Sequence, residues 1–291
     1  MLKIVASCAL VIGCAGPGDS YGVAAEDLNS ENGISFNGRS FNGVSLNGMS
    51  LNGLDADLAT SSFTSWFNSA ATSNAIEMQY VVKCAKPSGT TVTWTNPQTG
   101  TSYTWQGLLG LAPSWTNRAM TTAEQQVLTA CLLAHANKYG VHVPIAIEGR
   151  TASGGTLAQD SGELTTYSVK EAAFFGNTVT GDGSFVCLDH ATWDASRSSA
   201  RACGYDTKAS GASTACPPMY QVGACNNFCM LDATKTYYTT CTYNGKTYQP
   251  VTTRLRVQDI YKCGDGVCQF TEHCGNGATY DNCRADCGLC P

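Results

Sequence analysis

Ionic charge is scarce in this sequence. Only 13% of the 291 residues are Asp, Glu, Lys or Arg, and the net charge is -5. That excludes a basic nucleic-acid surface and a polybasic membrane patch, so nucleic acid is not among the expected partners. Long apolar runs are missing too: Ile4 to Gly13 is too short to cross a bilayer. There is no Gly-x-Ser-x-Gly elbow, no His-Glu-x-x-His and no glycine loop ending in Lys-Ser or Lys-Thr. The common nucleophile, zinc-protease and phosphate-binding signatures are thereby removed. What is abundant instead is Thr, Ser, Asn, Gly and Tyr, a surface polarity of hydroxyls and amides that suits secreted, strand-rich domains.

Lys3 followed by the apolar run reads as a signal peptide. Val11-Ile12-Gly13-Cys14 resembles the lipobox of bacterial lipoproteins, in which the cysteine is acylated and becomes the new N-terminus. The rival is ordinary cleavage after Val23-Ala24-Ala25. Under the first reading the partner is a membrane, reached through a lipid on Cys14, and the protein is an outer-membrane or cell-surface lipoprotein; otherwise it is secreted.

Export fixes the meaning of the cysteines. Of 16, Cys8 is lost with the signal and Cys14 is removed or lipidated, which leaves 14 in an oxidising compartment. Eight fall in the body: Cys84, Cys131, Cys187, Cys203, Cys216, Cys225, Cys229 and Cys241. Six fall in the tail: Cys263, Cys268, Cys274, Cys283, Cys287 and Cys290. Both sets are even, so each module can close on itself with disulfides.

Behind the export signal, Asn-Gly recurs every five residues from Asn32-Gly33 to Asn52-Gly53. The pattern resembles the pentapeptide repeat, whose chain winds into a square β-helix, although Arg39, Val44 and Met49 stand where that repeat has a small residue. It reads as a flexible stalk of about 30 residues reaching roughly 30 Å, with a short coil docked on the body as the alternative.

The body is organised around one stretch. Thr121 with Glu124 is a capping box, and Val127 to Ala136 is apolar on nearly every side, as in a helix sunk in a core. Gly140 can end it, and Val141 to Ile147 then reads as a strand. Thr91–Thr95 and Thr101–Trp105 alternate around a five-residue loop and form a hairpin. Ala75 to Cys84 fits either a helix turning into a strand or a strand alone. Cys84 and Cys131 are expected to pair, tying that segment to the central helix. Cys131 with His135, four apart, is the metal or nucleophile rival, disfavoured because apolar surroundings raise a thiol pKa. Glu163 to Phe175 reads as strand, with Val169, Phe174 and Phe175 as core. Thr236–Tyr243 and Lys246–Tyr248 flank Asn244-Gly245, a type I′ hairpin signal. Exposed faces carrying Tyr237, Tyr238, Tyr243 and Tyr248 would suit a carbohydrate or protein ligand.

For catalysis, Asp189-His190 with Asp194 nearby is the candidate acid/base set, since a carboxylate can orient an imidazole. Glu148, beside the polar loop Gly149 to Gly162, is a further member of a hydrolase cleft. The bland reading of the same residues is a solvated loop among disulfides.

The tail, with Cys263-Gly264-Asp265-Gly266-Val267-Cys268, resembles the Cys-Gly-Asp-Gly-x-Cys repeats appended to secreted bacterial proteins. That resemblance implies an accessory disulfide knot. Asp265, Glu272, Asp281 and Asp286 would supply oxygen ligands if the knot holds calcium; no cofactor is otherwise required. From Asn32 to Gly176 the chain is similar to exported Cys-rich proteins of Gram-negative bacteria that carry an Asn-Gly leader, carried by Tyr80–Ala85, Gly107–Trp115 and Thr129–Ala134. The similarity implies export and no particular activity.

The expected whole is an α+β protein, disulfide-rich and mainly antiparallel β around one buried helix, with a small C-terminal knot. Its parts are an export region (1–25), an Asn-Gly stalk (26–60), the stapled body (61–260) and the knot (261–291). A binding or structural role at the cell envelope is expected; a secreted hydrolase using the Asp/His pair is the alternative.

Overall fold

The structure, a computed structural model, describes residues 29–32, 34–35, 53–137, 143–157, 162–189 and 219–256. In the tail it describes 264, 266, 268, 274–275 and 283–289. The helices are α1 (Leu54–Leu58), α2 (Ser61–Ser69), α3 (Ala71–Ala85), α4 (Thr122–Ala134), α5 (Glu163–Thr166) and α6 (Arg284–Cys287). The first strands are β1 (Asn29–Asn32), β2 (Ile34–Ser35), β3 (Thr91–Thr95), β4 (Ser102–Gln106), β5 (Ala136–Asn137), β6 (Val143–Gly149) and β7 (Val169–Asn177). There follow β8 (Gly183–Leu188), β9 (Tyr220–Ala224), β10 (Cys229–Leu231), β11 (Tyr238–Tyr243), β12 (Lys246–Tyr248) and β13 (Val251–Leu255).

The capping box forms as the sequence requires. The Glu124 N–H donates to Thr121 Oγ1 at 3.2 Å, and the Thr121 N–H donates back to Glu124 Oε2 at 2.8 Å. From Val127 to Ala134 every residue of α4 is buried. It lies on one face of a six-stranded sheet ordered β1-β6-β13-β7-β8-β9, antiparallel throughout except at β8–β9. A three-stranded antiparallel sheet, β10-β11-β12, covers part of the opposite face. Strand β7 is therefore buried on both sides. Ala172 and Phe174 join the helix-side core, while Ala173 and Phe175 join a second cluster with Phe185, Tyr238 and Tyr248. Period-two geometry makes this unavoidable, because successive side chains of a strand point to opposite faces. At the end of that strand Gly176 is required: a Cβ there would come within 2.2 Å of the Gly183 carbonyl oxygen.

Ala75 to Cys84 is helical throughout, within α3, so the Cys84–Cys131 disulfide joins two helices rather than a strand and a helix. Intrinsic preference of Val81 and Val82 for strand is overridden by packing, and the reason shows at the helix end. Three α3 carbonyls and that of its C-cap Lys86, which a helix C-terminus leaves free, accept from the connection that follows the hairpin: Leu109 N–H to Lys83 O (2.9 Å), Leu111 to Cys84 (2.9 Å), Ala112 to Ala85 (3.0 Å) and Gly110 to Lys86 (2.9 Å). Gly107 permits the approach, since a Cβ there would lie 2.5 Å from the Pro87 oxygen. Likewise Glu163–Thr166 forms a helical turn, and the expected strand begins only at Val169.

The β3–β4 hairpin forms in register, Trp94 opposite Tyr103 and Val92 opposite Trp105. Its inner face stacks on Phe63 and Phe67 of α2, with the Phe67 ring 4.7 Å from Trp94 and 4.6 Å from Tyr103. Packed structure begins before Phe63: the Leu54 N–H donates to the Trp115 oxygen at 3.0 Å, and Leu54 is buried. Part of the Asn-Gly leader pairs with the body as well, Asn29–Asn32 lying antiparallel along β6. No helix among the described residues is long and apolar enough to cross a membrane.

Helix α1 carries an ionisation cost. Asp57 is 3% exposed, and burial outweighs its hydrogen bond from Trp115, so that its carboxyl is pushed up to about 6. A raised carboxyl pKa stabilises the fold below the unfolded value and loses that contribution as pH climbs through 6. Asp57→Asn is therefore expected to stabilise the protein by about 2–3 kcal/mol at pH 8 and to be nearly neutral at pH 4. Urea midpoints at the two pH values check it; an equal shift at both would contradict it.

Candidate functional site

The seam between the two sheets is where buried charge collects. Glu148 on β6 and Arg254 on β13 both point away from the helix side, because their strand neighbours Ile147 and Leu255 join the helix-side core. Arg254 Nε donates to Glu148 Oε2 at 2.9 Å, and its remaining nitrogens donate to the Ser168 and Thr236 carbonyls, both at 3.2 Å. Glu148 is fully buried. Burial pushes its pKa up despite Arg254 and, more remotely, Lys170; Asp232 adds to the rise. Among the described residues, Glu148 Oε1 accepts no hydrogen bond.

Asp189, directly after β8, stands at the other end of this seam with its side chain 14% exposed. The Tyr238 hydroxyl donates to its Oδ2 at 3.0 Å, and Lys170 Nζ lies 3.5 Å from the same oxygen. Lys170 also sits 5.2 Å above the Tyr238 ring and donates to the Lys235 carbonyl. Burial, then the charge of Asp189 and the bond to it, push the Tyr238 hydroxyl above its usual range. Nearby, Thr253 donates to buried Glu171 at 2.7 Å. The loop from Asp232 to Tyr237 is clasped by its own first residue. Slight burial works against the Asp232 carboxylate, but hydrogen bonds from the Thr234 hydroxyl and from the N–H groups of Tyr237, Thr234 and Thr236 bring it down to about 2.

The structure thus brings Asp189 and Glu148 to one seam, with Lys170 paired to Asp189 and acting on Glu148 only at longer range. His190 and Asp194 lie outside the described residues, as does the lipidation candidate Cys14. Chemically, the carboxylates seen here act as acceptors for cations and hydroxyls on other strands, which is the work of cross-links. The tyrosine face expected of the β11–β12 hairpin is overturned. The type I′ turn is present, with φ of 49° at Asn244 and 74° at Gly245, yet Tyr237, Tyr238 and Tyr248 are buried and Tyr243 half-buried. Tyr238, Tyr243 and Tyr248 join the cluster of Phe175 and Phe185 between the sheets, and the Tyr237 hydroxyl meets Arg150 and Thr156. Among the described residues, the aromatic that stands open is Tyr220 on edge strand β9, 54% exposed.

Sequence reasoning missed Arg254 and Lys170, and it assigned Tyr238 to an exposed face rather than to Asp189. A signal existed: in a chain this poor in charge, Arg254 inside the strand-forming run Val251–Leu255 and Lys170 beside Val169 needed buried partners.

Sulfur is oxidised where it is described. Disulfides join Cys84 to Cys131, Cys187 to Cys225, Cys229 to Cys241 and Cys268 to Cys287. Cys274 and Cys283 are disulfide-bonded as well. Cys203, Cys216, Cys263 and Cys290 lie outside the described residues. With its sulfur in a disulfide, Cys131 is neither nucleophile nor ligand, and His135 stacks 4.8 Å from Tyr80 in the core. In the tail, Asp286 accepts from the Gly264 and Gly266 N–H groups at 2.5 and 3.0 Å, which makes it the clasp of the Gly-Asp-Gly turn. The other calcium candidates, Asp265, Glu272 and Asp281, lie outside the described residues.

Comparison with protein-family models, with curated proteins and with solved structures finds no match. The chain is a disulfide-bonded α+β protein rich in antiparallel sheet.

Proposed function

We propose that the protein is exported, anchored in the outer membrane through a lipid on Cys14, and plays a binding or structural role at the cell surface. The observation that carries this reading is the use made of charge at the sheet seam. Glu148 is tied to Arg254, and Asp189 to Tyr238 and Lys170, each across a strand boundary. The ion pairs tie neighbouring strands of the main sheet, the bonds from Tyr238 to Asp189 and from Arg254 to the Thr236 carbonyl reach across to the smaller one, and the disulfides Cys187–Cys225 and Cys229–Cys241 lie along the same seam. A body built so is suited to persist outside the cell and to present a surface. Tyr220, open on the outermost strand, is the aromatic placed to meet a carbohydrate or protein ligand.

Cell fractionation tests the anchor. The wild type is expected in the outer-membrane fraction and Cys14→Ser in the soluble fraction or medium; identical distributions would contradict the reading. Turnover of chromogenic ester, glycoside or phosphate substrates by the purified body, abolished in His190→Ala, would replace it with the hydrolase.

A further inference from the structure

The two disulfides at the seam are not independent. Cys187 Sγ lies 3.4 Å from Cys229 Sγ, a van der Waals contact between the sulfurs of two different bridges. The sulfurs of Cys187, Cys229 and Cys241 all fall within 4.8 Å of one another. Cys225, bonded to Cys187, adds a fourth. These cysteines come from four places: β8, the 3-10 turn Cys225–Asn227, β10 and β11. Cys187, Cys225 and Cys241 are fully buried against Phe175, Phe185, Tyr238 and Tyr248.

We propose that Cys187, Cys225, Cys229 and Cys241 form a redox-convertible site, two disulfides when oxidised and one tetrathiolate centre for a soft divalent ion such as Zn2+ or Cd2+ when reduced. Zinc–sulfur bonds of about 2.3 Å in a tetrahedron put the sulfurs roughly 3.8 Å apart. Cys187 Sγ lies 3.4 Å from Cys229 Sγ and within 4.8 Å of Cys241 Sγ, separations that bracket that edge. Both bonded pairs, at 2.02 and 1.98 Å, have to open. Cys225 and Cys229 have three residues between them, within the spacing of structural zinc sites, and the remaining ligands come from strands of both sheets. The site would therefore hold the two sheets together in either state. By contrast, the group of Cys84, Cys131 and His135 offers three donors.

The chemistry balances. A phosphine delivers two electrons to each disulfide and becomes its oxide with oxygen from water; each pair of sulfurs leaves as thiolates that take up two protons. Binding of M2+ then displaces the four thiol protons, so affinity rises with pH.

The full chain, reduced with a phosphine under argon and freed of it, is titrated with Co2+ and with Cd2+. Expected are thiolate-to-metal absorption, the strong d–d bands of tetrahedral Co2+, and a higher melting temperature with Cd2+. Cys187→Ser/Cys241→Ser is expected to bind one ion fewer than the parent, whereas Cys268→Ser/Cys287→Ser keeps that ion. Alkylation and peptide mapping of the unmutated chain avoid any folding defect of the variant. Bound Cd2+ is expected to slow labelling of Cys187, Cys225, Cys229 and Cys241 together at least tenfold. Equal labelling of these four with and without Cd2+, or absence of tetrahedral Co2+ bands, overturns the proposal.

Discussion

Arg254→Met is expected to lower the free energy of unfolding by about 3–5 kcal/mol at pH 7.5, the cost of stranding a buried charge. Glu148 is fully buried, and Arg254 is the cation in contact with it. Without that cation the carboxylate must either stay ionised in an apolar seam or take up a proton. The pH dependence gives the sign. Glu148 already has a raised pKa in the folded protein, and removing Arg254 raises it further. A raised carboxyl pKa leaves the fold unharmed below the unfolded value of about 4.3 and penalises it as pH rises through the folded value. The deficit of Arg254→Met should therefore shrink as the medium is acidified toward pH 4. Adding Glu148→Gln should recover most of it at pH 7.5, because the amide has no charge to strand. Urea titrations at the two pH values check this. A deficit independent of pH, or no recovery in the double variant, would mean that Arg254 matters through its bonds to Ser168 and Thr236 alone.

The second large effect is expected of Cys84→Ala/Cys131→Ala. The bridge closes a separation of 47 residues, and the chain-entropy relation gives about 4 kcal/mol for a loop of that length. For Cys229→Ala/Cys241→Ala, with a separation of 12, the same relation gives about 3 kcal/mol. Cys84, Cys131 and Cys241 are fully buried and Cys229 half-buried, so lost packing adds to each. Denaturant midpoints of the two variants, with unchanged slope, measure the difference. If the shorter loop proved the costlier by a wide margin, packing of the sulfur cluster rather than loop closure would dominate.

How far the sequence revealed this molecule follows from the range over which each signal acts. Thr121 and Glu124 are three residues apart, so the helix start could be read locally, and Asn244-Gly245 fixed its turn for the same reason. Cys84 with Cys131 was legible by elimination. Segment Ala75–Cys84 was ambiguous because its outcome depends on hydrogen bonds from Leu109 to Ala112, more than twenty residues away. The tyrosines misled for a related reason. Alternation tells which residues share a face but not whether another sheet covers it, and the main sheet covers Tyr238 and Tyr248. At the candidate site, Asp189 was singled out by its neighbour His190. Its observed partners, Tyr238 and Lys170, are distant in sequence and announced only by being charged or polar where little else is.

On the proposed reading, the cysteines serve as oxidised staples of an exported chain. This is tested most directly by counting free thiols and bound metal in the mature protein, purified from the cell envelope without reductant and unfolded in guanidinium. No free thiol and no stoichiometric zinc are expected before reduction. Several titratable thiols, or one zinc per chain in the unreduced protein, would contradict that reading.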